Sequence, residues 1–409
     1  MDKYWFRTRK QEKKFFKNNP VYRTGIGKEH RIQEVTKDHL YIQSQNSEKV
    51  IPIPRKEIRK AIHFTFHVRT ITRKDLERFS NFNSAMFGIM ILVFQDIAYQ
   101  YQTPRGLLRL TLKGIRFYFS GLARSPKDRE LVLKNGGDSL CLSYFHLRDM
   151  NPDRWVPDIR NKCKVLIDSG AFSLFNAEQK MRKKLGITGN GMQLSLLDDW
   201  GYDQEQQPNL KPILWEEYGT WVRTYLDMGV VTDYINLDVF GNSEETKRNQ
   251  KRLEQLVGKA PIPVYHWDAP IEDLDELVEE GHPVIALGGI VALHGENEKR
   301  AFFQKVFERH PGVRYHWLGG SSKLLFEFSF FSADSTSYLM PRINGDGTII
   351  TPYGFDYKPE WSTQECIAFN IRMLSSLEEA YHPEFQLEMA FSYPEEVSGY
   401  ESGQLQLAI

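Results

Sequence analysis

From about residue 106 onward, short runs of β-forming apolar residues alternate with longer stretches whose apolar residues recur at helical spacing. The runs fall at 115–120 (IRFYFS), 140–145 (LCLSYF), 164–168 (KVLID), 233–238 (DYINLD), 262–267 (IPVYHW), 284–287 (VIAL), 313–318 (VRYHWL) and 330–334 (FFSAD). Helical patterns such as SEETKRNQKRLEQLVG, PIEDLDELVEEG, ENEKRAFFQKVFERH and SSKLLFEFS occupy most of the intervals. Strands alternating with helices predict βαβ units and a parallel sheet, and eight of them predict an α/β fold of the (β/α)8 TIM-barrel type. A doubly wound open sheet has the same periodicity, because the pattern alone does not show closure.

The first 105 residues have a different rhythm. HRIQEV, HLYIQSQ and KVIPIP read as short strands between polar turns. PRKEIRKAI reads as a helix starting at Pro54, and the stretch from Thr72 to Gln102 continues with mixed helical periodicity. The expected organisation is a small basic α+β module over 1–105 and a barrel over 106–385. A peripheral tail follows over 386–409. A polar, Gly-rich insertion at 170–232 exceeds an ordinary βα connection and is expected on the barrel's C-terminal face.

Charge sharpens this division. Residues 1–74 carry 19 Lys and Arg against 7 Asp and Glu, so the balanced chain has a head of net charge +12 on an acidic body. A basic head points to a polyanion, with Arg55, Lys56, Arg59, Lys60, Arg73 and Lys74 as candidate nucleic-acid contacts. A solvated surface that neutralises its own acidic partner domain is the plainer reading of the same charges. The longest apolar run, 86–94 (MFGIMILVF), is about half a bilayer span, and the basic, aromatic N-terminus lacks a signal peptide's apolar region. Cys141, Cys163 and Cys366 are each isolated, which supports neither a disulfide framework nor a thiolate zinc site. A cytoplasmic protein with no membrane partner is the expectation.

Barrel enzymes carry their chemistry at the C-terminal strand ends. Those ends here read Asp168-Ser169-Gly170-Ala171-Phe172, Asn236-Leu237-Asp238, His266-Trp267-Asp268, Gly288-Gly289 and Ser332-Ala333-Asp334. An Asp at a strand end often caps the following turn. Two carboxylates across one pocket can also divide glycosyl chemistry, one attacking the anomeric carbon and the other moving protons. Gly288 and Gly289 let backbone amides approach a planar ligand or simply make a tight turn. Trp267, Trp317 and Phe172 are candidates to stack on a ring or to pack the barrel mouth.

The ordered motifs DSGAF, NLD, ALGGI, HWLGG and ADST resemble the tRNA-guanine transglycosylase superfamily over roughly 117–338, more than half of the chain. The resemblance implies that Asp334 attacks C1′ of a nucleoside and expels guanine, forming a covalent glycosyl-enzyme. It makes Asp168 the general base and Asp238 the reader of the guanine edge. Gly288 and Gly289 would meet the exocyclic groups, and Phe172 and Leu318 would sandwich the ring. Ser169, Gly170, His266 and Gly319 complete the implied base pocket. Ala171 replaces the family's second glycine, and Ser173 stands where a Gln is usual. The tRNA enzymes hold structural zinc through a Cys-x-Cys-x-x-Cys and a His after the nucleophile, whereas Cys366 and His382 are solitary here.

With that cluster missing and a basic module added, the chain looks most like the DNA-modifying branch, which exchanges guanine in DNA for a 7-deazaguanine such as preQ0. In that reading the basic head grips phosphates and the barrel takes a flipped-out guanosine. No cofactor and no metal are implied, and accessory proteins are an open question. Four alternatives stand beside it. The first is a tRNA-guanine transglycosylase-like enzyme acting on RNA. The second is a metal-dependent barrel hydrolase using His266, Asp268, His294, His316 and Asp334. The third is a glycoside hydrolase using Asp168 and Asp334, and the fourth a non-catalytic nucleic-acid-binding barrel.

Overall fold

The computed structural model describes residues 3–18, 21–23, 27–45, 47–175, 177, 211–239, 241–320 and 322–379. Most of the expected insertion, 178–210, and the expected tail over 386–409 lie outside the described residues. The chain divides into two units, Met1–Lys113 and Gly114–Ile409.

In the first unit, strands β1 (Val21–Arg23), β2 (Glu29–Val35), β3 (His39–Ser44) and β4 (Val50–Pro54) pair in sequence order as an antiparallel sheet. Pro54 then caps the helix Arg55–Val68, where its fixed φ suits the helix entrance and its missing N–H costs nothing. The apolar run at 86–94 lies largely in the helix Asn83–Val93, whose residues 85–90 are all buried. A helix that is apolar on every side is stable only when surrounded by protein.

The stretch 72–102 departs from its expected helical character. It contains only a 3₁₀ turn at Lys74–Leu76 before that helix and ends in a strand. The strands β5 (Thr70–Thr72), β6 (Ala98–Gln102) and β7 (Leu108–Leu112) form a second antiparallel sheet with β7 central. AYQYQ alternates with period two, and this local pattern prevails over the helical periodicity before it. Because β7 pairs within this sheet, the first unit extends past 105 to Lys113.

All eight expected strands of the second unit are present: β8 (Arg116–Phe119), β9 (Ser139–Ser143), β10 (Lys164–Asp168), β11 (Asp233–Tyr234), β12 (Val264–His266), β13 (Ile285–Gly288), β14 (Tyr315–Trp317) and β15 (Ser332–Ser335). They pair in parallel in the order β11-β10-β9-β8-β15-β14-β13-β12. The sheet curls in the manner of a TIM-like α/β fold. Its edge strands form no ladder with each other and meet at one parallel bridge, Ile235–Ile262. There Ile262 N donates to Tyr234 O at 2.8 Å and Asn236 N to Ile262 O at 2.9 Å.

The helices Trp215–Asp227, Ser243–Val257, Ile271–Glu280, Glu296–Arg309 and Thr363–Ser376 follow the sequence pattern. The exception is SSKLLFEFS, which yields one turn, Leu324–Glu327. No helix among the described residues is long and apolar enough to cross a membrane.

Tyr118, Cys141, Leu166, Ile235, Val264 and Ala286, one from each of six consecutive strand positions, form a buried apolar layer inside the curl. Side chains alternate along a strand, so the residues two positions further on, including Ser120, Ser143, Asp168, His266 and Gly288, face the same interior one layer higher. At the opposite end, buried Arg116 donates to buried Glu378 Oε1 through Nη2 at 2.7 Å and Nε at 3.2 Å. Ile115 N also donates to Leu377 O at 2.8 Å, fastening the end of the C-terminal helix to β8. Glu378→Ala, which takes the carboxylate away from buried Arg116, should cost about 3–5 kcal/mol of unfolding free energy in urea titrations. A loss below about 1 kcal/mol would show that this pair is not a fastening point.

Candidate active site

Asp334 lies near the end of β15, in register with Tyr118 of β8. Its Oδ2 accepts the Ser120 hydroxyl at 2.6 Å and its Oδ1 the Gly319 amide at 3.1 Å. Fully buried His316 places Nε2 3.3 Å from Oδ1, while its Nδ1 is 2.8 Å from Ser332 Oγ. Little of the Asp334 side chain reaches solvent. Among the described residues, a hydroxyl, an amide and an imidazole meet this carboxylate, and no Lys or Arg pairs with it.

Asp168 ends β10, in register with Ser143 of β9. Its Oδ2 accepts the Gly170 amide at 3.0 Å, and Ser169 Oγ accepts the Ala171 amide at 3.2 Å. Gly170 has φ +81°, and a Cβ there would come 2.4 Å from Phe145 Cβ and 2.5 Å from Ser143 Oγ. This DSG turn therefore needs glycine for both backbone angle and space. Asp168 is half-buried, with its carboxyl turned largely into the protein. That burial pushes it up to about 7, and the charges of Asp238 and Asp334 add to the rise. The two backbone amides at Gly170 and Ser169 oppose the shift without cancelling it.

Asp238 follows β11 and pairs with His266 at the end of β12, Oδ2 to Nε2 at 2.9 Å. Gly288 and Gly289 adjoin this pair. A Cβ on Gly288 would lie 2.6 Å from Val264 Cγ1, with His266 Nε2 and Leu318 Cδ1 at 3.5 and 3.6 Å. Gly289 has φ +71°, and its Cβ would lie 2.9 Å from Trp267 Cδ1. At this strand end the Val264 and Trp267 side chains occupy the space that a Cβ would need, so packing itself calls for glycine at both positions.

The structure thus gathers Asp168, Ser169, Gly170, Asp238, His266, Gly288, Gly289, Leu318, Gly319 and Asp334 at the C-terminal ends of the strands. Phe172 stands half-buried in the helical turn after Gly170. Trp317 is not available to a ligand: it is buried against Phe303 and Phe330. Trp267 is 38% exposed and is. Asp268 and His294 are exposed, and no three His, Cys, Asp or Glu among the described residues are grouped to hold a metal ion.

Three contributors were not legible as site residues. Ser120 carried a signal, since it ends the first strand run. Ser332 is a partner of His316 whose polar side chain in an apolar strand was the only hint. Cys141 lies in the layer beneath, its thiol held far above the ordinary range by burial and by the charges of Asp334 and Asp168.

The six basic candidates in the first unit divide. Arg55 and Arg59 reach nearly buried Glu12 at 3.0 and 2.7 Å, and Arg55 lies 4.2 Å from the Phe16 ring centroid. These two tie the helix Lys3–Asn18 to the helix Arg55–Val68. Lys56, Lys60, Arg73 and Lys74 are exposed, with Lys60 also reaching Glu57 at 2.9 Å.

Folding raises the Asp168 carboxyl from 3.8 to about 7, so between those values the folded chain holds a proton that the unfolded chain has released. Its contribution is fully present below about pH 4 and is lost as pH rises through 7. Asp168→Asn should therefore match the wild type near pH 4 and exceed it at pH 8 by up to about 4 kcal/mol in unfolding titrations. A difference independent of pH would contradict the raised carboxyl.

No family model matches the chain, and no curated protein matches it significantly, so the chemistry of this mouth is argued from its own geometry.

Proposed function

We propose that the protein is a base-exchange transglycosylase that replaces guanine in DNA with a 7-deazaguanine such as preQ0. The observation that carries the reading is the pairing of two differently treated carboxylates in one mouth. Asp334 is held by neutral donors, and Asp168 is raised to about 7. A nucleophile must be ionised, whereas a proton shuttle works best when its affinity lies near the working pH.

Asp334 attacks C1′ of the nucleoside as the bond to guanine breaks, giving a glycosyl ester. Asp168 in its protonated form gives a proton to the departing base, and as carboxylate takes one from the incoming base. Asp238, oriented by His266 at 2.9 Å, accepts from the donor edge of the purine. Gly288 and Gly289 admit the ring plane, and Leu318 lines it. The choice of DNA rests on the missing cysteine cluster after Asp334 and on the basic first unit, where Lys56, Lys60, Arg73 and Lys74 are exposed to meet phosphates. The order of motifs supports a transglycosylase over a simple glycoside hydrolase, which would leave the basic unit without a role.

Asp334→Asn should bind a guanine-containing DNA duplex within about threefold of wild type, since phosphate contacts carry most of the affinity. It should form no covalent DNA adduct on a denaturing gel. Labelled preQ0 should enter duplex DNA and not tRNA. Exchange by Asp334→Asn would remove the proposed nucleophile, and label in tRNA alone would overturn the DNA assignment.

A further inference from the structure

His316 is buried beneath the mouth in an environment that only its two ring nitrogens explain. It has no accessible surface, and the Tyr118 ring meets it edge-on at 6.0 Å. Nδ1 lies 2.8 Å from Ser332 Oγ. Nε2 makes no hydrogen bond among the described residues, yet it stands 3.3 Å from Asp334 Oδ1. A carboxylate can only accept, so a productive contact requires the ring proton on Nε2. The Ser332 hydroxyl then donates to Nδ1, which fixes that tautomer. Contacts of this kind are often long in a resting site and shorten when substrate binds.

The two oxygens of Asp334 are consequently unequal. Oδ1 faces two donors fixed by the fold, the Gly319 amide at 3.1 Å and His316 Nε2. Among the described residues, Oδ2 takes the Ser120 hydroxyl alone, at 2.6 Å, and that hydroxyl can rotate away. We propose that His316 is a positioning residue that, with the Gly319 amide, holds Oδ1 as the future ester carbonyl and leaves Oδ2 to attack C1′. The choice of attacking atom rests on the transglycosylase reading; the His316–Asp334 contact does not.

The step balances. An Oδ2 electron pair forms the bond to C1′ while the C1′–N9 pair departs on guanine N9, which takes the Asp168 proton. In the return half the incoming base gives its N9 proton to the Asp168 carboxylate. Its N9 pair then bonds C1′, and the C1′–Oδ2 pair returns to Asp334. Charge redeveloping on Oδ1 in that return is met by donors already in place.

Two measurements on the full chain separate the parts. With a guanine-containing DNA duplex and labelled preQ0, His316→Phe should slow adduct formation about a hundredfold while KM for DNA moves less than about threefold. His316→Gln keeps an N–H near the Nε2 position and should recover at least about tenfold of that loss. Wild-type speed in His316→Phe, or equal rates in the two variants at matched thermal stability, would overturn the role. Nitrogen-15 NMR of labelled histidines should show His316 as the Nε2–H tautomer, with Asp334→Asn shifting that proton. An Nδ1–H tautomer would overturn the proposal regardless of activity. Absence of adduct and exchange in the wild type would instead sink the transglycosylase reading, leaving the tautomer to decide the role of His316.

Discussion

Like charges withdrawn from water cannot all remain ionised, and this constraint organises the mouth of the second unit. Asp168, Asp238 and Asp334 come from three strand ends, and the curled sheet brings Asp238 and Asp334 within electrostatic reach of Asp168. Each is treated differently. Asp238 has an imidazole at 2.9 Å, Asp334 has a hydroxyl and an amide, and Asp168 has backbone amides that do not offset its burial. Burial, with the two neighbouring charges, therefore raises the proton affinity of Asp168 to about 7.

The fold produces this asymmetry by simple means. Parallel pairing points every strand end the same way, and two-residue alternation sets a polar layer over the apolar one that runs from Tyr118 to Ala286. The apolar layer lowers the local polarity, and the buried thiol of Cys141 in it is raised by two of the same carboxylates. Glycine serves where a side chain would collide: Gly170 against Phe145 and Ser143, Gly288 against Val264. These are packing demands, met by neighbouring side chains that close over the glycine backbone.

Much of this was readable in the chain because strand ends are marked by both periodicity and residue type. The eight runs, the DSG turn and the aspartates at positions 168, 238 and 334 all belong to short-range pattern, and the structure gathers them on one face. What escaped was relational. Nothing in HWLGG reveals that His316 turns inward to Ser332 and Asp334 while its neighbour Trp317 packs outward on Phe303 and Phe330. At Arg55 and Arg59 the sequence shows charge but not partners, and Glu12, more than forty residues earlier, engages both. The strand at 98–102 was hidden by the helical pattern before it, and the meeting of the edge strands at Ile235 and Ile262 is a property of curvature that periodicity does not encode.

The most direct test of the shared carboxylate site is the titration of the Asp168 carboxyl itself, followed by carbon-13 NMR in the wild type and in Asp238→Asn and Asp334→Asn. A midpoint near 7 is expected in the wild type and a lower one in each variant, since both neighbouring charges contribute to the rise. A midpoint in the ordinary range near 3.8, unmoved by either substitution, would contradict the shared electrostatic site on which the functional reading stands.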